Sequence, residues 1–89
     1  MKEAEHPGKI VLEYLELANW SQSELARRTG LSHVTISKVC HGERSISARL
    51  ALGLEKAFEK LDVEKSAKFW LELQSAYKLA QQRKRKKRQ

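Results

Sequence analysis

Apolar residues recur along this chain at intervals of three and four, in five blocks set apart by serine, asparagine or glycine. Nowhere do they alternate with polar residues at the two-residue period of a strand, so the pattern predicts helices throughout. In the first block Pro7 suits an opening helical turn, Ile10, Tyr14 and Leu17 fall on one face, and Asn19 is placed as a left-handed terminator. The second opens at Ser21 with Glu24 three residues on, a capping box, with Trp20 positioned to staple onto Leu25 and Gly30 at its end. Ser32 caps the third, with Leu31 and Ile36 as a second staple pair and Gly42 closing it. Ser47 caps a fourth block whose stripe is Leu50, Leu54, Ala57, Phe58 and Leu61, with no glycine to mark its end. Ser66 caps a fifth, in which Phe69, Leu73, Ala76 and Ala80 share a stripe and Trp70 and Tyr77 lie beside it. The expected fold is all-α, a five-helix bundle.

The third block, within TGLSHVTISKVCHG at 29–42, departs from an ordinary surface helix. A turn of about 100° per residue that commits Ile36, Val39 and Cys40 to the core puts Val34, Ser37, Lys38 and His41 on the far side. Surface helices usually show long charged residues to water, so an outward valine among small hydroxyls implies a specific counter-surface. With the block before it, QSELARRTG, it forms two short helices joined by a tight turn containing glycine, the layout of a helix-turn-helix. Ala26 is small where the second helix approaches the third, and Gly30 supplies the positive φ of the turn. Leu25, Leu31, Ile36 and Val39 lock the pair onto the core.

A DNA major groove offers thymine methyls to an apolar side chain and base-edge donors and acceptors to hydroxyls, lysine and histidine. Ser32, His33, Val34, Ser37, Lys38 and His41 are therefore the expected base-facing set. The N-terminal ends of the second and fourth helices, with Gln22, Arg44 and Arg49 nearby, are expected to hold phosphates. Charge agrees with this placement. The formal net charge is +7, but residues 83–88, RKRKKR, supply six positive charges and leave the rest nearly neutral. Inside that remainder, 21–49 is the basic stretch. Arg27 and Arg28 read equally well as phosphate contacts or as a solvated surface.

Other chemistry finds little support. The chain of 89 residues makes one small domain, expected at 1–82, with residues 83–89 as a frayed basic tail that either follows phosphates or only aids solubility. It is not expected to be an enzyme: Glu13, Glu16, Glu55, Glu59 and Glu64 read as a solvated face, and no nucleophile has an evident base. His33, Cys40 and His41 do not put three ligands on one side of a helix, so neither a metal nor another cofactor is expected. His6 is expected to open the first helix without chemistry of its own. A single cysteine excludes an intramolecular disulfide. The chain has neither the apolar run of a signal peptide nor a transmembrane-length segment, which makes a cytoplasmic location the expectation.

HisProGly at 6–8, SQSELARRTGLSHVTISKVCHGERSIS at 21–47 and FWLELQSAYKLA at 69–80 together resemble the antitoxin HigA family, XRE-type helix-turn-helix proteins related to phage repressors with lambda-repressor-like DNA-binding domains. The resemblance implies a five-helix, homodimeric repressor that binds an inverted-repeat operator in its own promoter and neutralises a HigB toxin, an RNase of the RelE type. By matching position it implies Gln22, His33, Val34, Ser37 and Lys38 as DNA contacts. Two features lie outside the family pattern. The connection into FWLELQ is longer than the usual short glycine-led turn, which predicts an extended fourth helix or a rotated fifth. The arginine-lysine end is the other.

Four small helices do not easily cover the apolar face of a fifth, so part of Phe69, Trp70, Leu73 and Tyr77 is expected to bury against a symmetry mate. Two other readings fit the same scaffold: a phage or plasmid repressor with no toxin, and a protein-interaction module whose third helix never touches DNA.

Overall fold

The computed structural model describes residues 5–87, with side chains as far as Lys84. It contains five helices: α1 (Pro7–Ala18), α2 (Gln22–Thr29), α3 (His33–Cys40), α4 (Ala48–Ala57) and α5 (Ala67–Lys87). Each starts on a predicted residue. Ser21, Ser32 and Ser47 each turn the side-chain oxygen onto the amide three residues ahead, and Ser66 does the same for Phe69 at 3.1 Å. His6 caps α1, its Nδ1 accepting from the Gly8 N–H at 3.0 Å. Both α1 and α3 end in Schellman motifs, with Asn19 and Gly42 in the left-handed position. Trp20 N–H reaches Leu15 O at 2.9 Å in one, and Glu43 N–H reaches Lys38 O at 2.8 Å in the other.

The core is built from Val11, Leu15, Leu25, Ile36, Val39, Ile46, Leu50, Leu54, Phe58 and Trp70, with Ala26, Cys40 and Ala51 where helices approach closely. Phe58 is its aromatic centre: Trp20 stacks on it at 5.7 Å, and Tyr14 meets both Phe58 and Trp70 edge-on at 5.5 and 5.4 Å. Leu25 and Ala26 of α2 and Ile36, Val39 and Cys40 of α3 reach this core, as the helix-turn-helix spacing predicts. Gly30, at φ 73°, makes the turn between them, and the Thr29 hydroxyl donates back to Leu25 O at 3.0 Å.

Several details differ from the sequence-based expectation. The buried face of α1 is Pro7, Gly8, Val11 and Leu15, while Leu17 is 66% exposed, because the helix packs on α3 through its first turn. Gly8 is what permits this: a Cβ there would overlap the Val39 carbonyl oxygen of α3 and sit 2.9 Å from its carbon. The capping box at Ser21 closes on one side only, since the Glu24 carboxylate turns instead to Arg27 and Arg28. Those hydrogen bonds, that of Arg27 first, hold it below the usual carboxylate range.

Helix α4 does not extend. It stops at Ala57, and residues 58–66 are pinned by local bonds: Tyr14 Oη donates to Glu64 O at 2.8 Å, Lys65 Nζ to Leu61 O at 2.8 Å, and the Trp70 indole N–H to Lys65 O at 3.1 Å. Glu55 and Glu64, expected in the solvated face, accept backbone amides here, from Ala67 at 2.8 Å and from Lys65 and Ser66 at 3.1 and 3.2 Å. The phase of α5 is also rotated. Its buried line is Trp70 and Gln74, with Phe69, Leu73 and Tyr77 half-buried and Ala76 exposed. The backbone helix then continues to Lys87, so residues 83–87 are helical where a frayed end was expected.

Candidate nucleic-acid interface

The outer face of α3 is assembled from its cap upward. Ser32 Oγ accepts the Thr35 N–H at 3.1 Å and donates to Thr35 Oγ1 at 2.9 Å, and the same Oγ1 accepts from Arg44 Nη1 at 3.0 Å. The loop between α3 and α4 is thereby tied to the first turn of α3. At the other end His41 Nδ1 lies 2.7 Å from Ser37 O and 3.4 Å from Ser37 Oγ. Between these ends His33, Val34 and Lys38 stand exposed, and Val34 is 61% open to solvent. No core demand explains an open valine, whose apolar surface stays wet until something covers it.

Ser32, His33, Val34, Ser37, Lys38 and His41 thus form an outer strip along α3 and its two ends, to which Thr35 ties Arg44. Gln22 and Arg49 stand apart from that strip, in the first turns of α2 and α4. In each of those turns the capping serine accounts for one of the four amides that a helix start leaves without a helical acceptor. The others, at the positive end of the helix dipole, suit a phosphate. Arg27 and Arg28 do not join this surface: both pair with Glu24, and the Arg28 guanidinium lies 4.1 Å over the Trp20 ring.

Thr35 was not legible as part of the site. It sits where a reciprocal cap partner belongs, three residues after Ser32, and that spacing is the signal that points to it. His6, expected only to open α1, also supports the strip from behind. Its ring meets Tyr77 edge-on at 4.9 Å, lies under Gly42, and hydrogen-bonds to the Arg44 backbone, a contact that favours the protonated ring. Burial lowers its pKa below the ordinary 6.5. Cys40 faces the core, where burial pushes the thiol up to about 11, so it stays protonated near neutral pH and is a poor ligand or nucleophile.

The expected dimer set needs correction. Trp70 is fully buried in the single chain, its indole N–H satisfied, and has no surface to give a partner. Phe69 and Leu73 pack partly on the chain's own core and Tyr77 on His6. Among the described residues the exposed large apolar side chains of α5 are Leu71 and Leu79, which line an open groove with Ile46, Gln74 and Ser75. Among the described residues no helix is long and apolar enough to cross a membrane.

Residues 11–65 match a helix-turn-helix family, HTH_3. Among curated proteins the chain is 36% identical over 81 residues to virulence-associated protein A' of Dichelobacter nodosus, covering 91% of this chain and 67% of that protein. Among solved structures it is similar to an addiction module antidote protein of the HigA family from Coxiella burnetii, at 32% identity and a TM-score of 0.86, over 98% of this chain and 90% of that one. It is also similar to the Pseudomonas aeruginosa antitoxin HigA solved with the higBA promoter, at 36% identity and a TM-score of 0.79, over 89% and 82%.

Proposed function

We propose, from the premise that this chain belongs to the helix-turn-helix family HTH_3, that it is a sequence-specific DNA-binding repressor of the antitoxin type. It lays α3 in the major groove of its own operator, with Val34 against a thymine methyl and His33, Ser37, Lys38 and His41 on base edges or adjoining phosphates. Gln22, Arg44 and Arg49 bring the first turns of α2 and α4 to the phosphates on either side, and Ser32 fixes the start of the reading helix. A helix-turn-helix regulator of this family is not an enzyme. The observation that carries the reading is the outer strip of α3, an exposed valine set among small polar groups and held rigid by Ser32, Thr35 and Arg44.

The kinship with HigA antitoxins, one of them solved with promoter DNA, supports the rest: a HigB-type RNase as partner, autoregulation of a shared operon, and a cytoplasmic setting. The protein acts as a homodimer on an inverted repeat. Leu71 and Leu79 are the apolar residues of α5 left for that contact, beside what Phe69, Leu73 and Tyr77 keep outward.

The test is a gel shift with the DNA upstream of the chain's own reading frame. The wild-type chain is expected to prefer that DNA to a scrambled duplex. Val34→Ser is expected to lose about 1–3 kcal/mol of the preference at one base position, with non-specific binding nearly unchanged. Equal affinity of the wild type for both duplexes defeats the reading. An unfolded Val34→Ser variant defeats the assignment of that valine to the outer face.

A further inference from the structure

Helix α5 runs antiparallel to α4, as two contacts show. Its first residue, Ala67, donates to Glu55 Oε1 near the end of α4, and further along Gln74 Oε1 accepts the Ile46 N–H, at 2.8 Å, just before α4 begins. Tyr77 then meets His6. So α5 travels toward the Ser47 end of α4, where Arg44 and Arg49 stand, and passes beyond it. From Tyr77 to Lys87 the helix advances about 15 Å, at about 1.5 Å per residue. The molecule is elongated accordingly, 43 × 26 × 21 Å. Along the projecting part Lys78, Arg83 and Lys84 are exposed, and positions 83–88 read RKRKKR.

We propose that this basic end of α5 is a second DNA contact, one that follows the phosphate backbone beside the half-site occupied by α3. The proposal rests on the DNA-binding reading above. Its ground is the direction of α5: the helix backbone runs toward the side where the first turn of α4 meets phosphate, with Lys78, Arg83 and Lys84 exposed along it and the densest run of charge in the sequence at its end. A segment so poor in apolar and hydrogen-bonding variety fits a uniform polyanion and reads no bases. Each lysine or arginine that neutralises a phosphate releases condensed counterions, so the contact has a signature in salt.

The experiment compares the full-length protein with a full-length variant carrying Arg83→Gln, Lys84→Gln, Arg85→Gln, Lys86→Gln, Lys87→Gln and Arg88→Gln. Glutamine keeps helix propensity close to that of lysine, and circular dichroism checks that the helix content is retained. Affinities for the operator duplex and for a scrambled duplex are measured between 50 and 200 mM salt. The slope of log affinity against log salt is expected to flatten by about 2–5 units, at about 0.9 per contact. The fall in affinity across that fourfold salt range should then shrink by roughly 10- to 1000-fold. The loss should be equal on both duplexes, leaving the operator preference intact.

Parallel lines for the two proteins overturn the proposal, even where the variant binds a single-stranded RNA less well. A loss confined to the operator overturns it too. Should the wild type show no operator preference, the repressor reading and this proposal fall together. Parallel lines with the preference intact remove this proposal alone.

Discussion

His6 serves three neighbours through one imidazole. It caps α1 through Nδ1, packs against Tyr77 of α5, and hydrogen-bonds to the Arg44 backbone in the loop that borders the reading helix. Accepting the Gly8 N–H requires an unprotonated Nδ1, and burial lowers the pKa from 6.5 in the same sense. The folded chain therefore binds fewer protons at His6 than the unfolded chain does below pH 6.5, and this contribution to stability is lost as pH falls from that value through the lower pKa of the folded state. Above it the contribution is complete. Glu24 and Glu64, held below 4.5 by their hydrogen bonds, act in a separate and more acidic window. The denaturation midpoint is expected to drop between pH 7.5 and pH 5.5, and His6→Asn, a capping side chain that does not titrate, to lessen the drop. An equal drop in both proteins assigns it elsewhere. At this scale the sequence was legible where a side chain answers to its own helix phase, as Val34 does. The role of His6 depends on contacts with Tyr77 and Arg44, far along the chain, and no local pattern encodes them.

Among the elements, helix starts were the most legible, since a serine cap needs only the amide three residues ahead. The phase of α5 was not. Phe69, Leu73, Ala76 and Ala80 make a good stripe, but the line that is buried runs through Trp70 and Gln74, because a polar side chain is needed inside. Gln74 Oε1 takes the buried Ile46 N–H, a donor in the loop entering α4 with no other acceptor among the described residues. An apolar stripe cannot announce a buried glutamine whose partner lies on another element. Gln74→Leu keeps the bulk and removes the acceptor, so a loss of about 1–3 kcal/mol in chemical denaturation is expected, the cost of stranding a buried amide. A loss below about 0.5 kcal/mol, the range of ordinary surface substitutions, shows that water replaces the bond.

For the whole molecule, five helices and the helix-turn-helix within them follow from local signals, whereas the surface left for another copy depends on which faces the bundle uses up. Trp70 was expected at that surface and is core. Leu71 and Leu79 remain outward on α5, in a groove reaching Ile46 near the reading helix. A two-fold contact there should set two copies of α3 about one DNA turn apart, roughly 34 Å, on an inverted repeat. Sedimentation is expected to give a dimer at micromolar concentration. Leu71→Glu should give a folded monomer, with a footprint reduced to a half-site. A variant that stays dimeric moves the interface off this face.

The glycine at position 8 constrains the lineage as well as the fold. Every missense change from a glycine codon adds a Cβ, and any Cβ at this position meets the Val39 carbonyl at the end of α3. A mutant allele must then shift the reading helix against α1, altering its seat on DNA even though residue 8 touches none. Genetic drift thus has no neutral missense step here, and operator specificity can be lost at a site that a screen of DNA contacts would pass over.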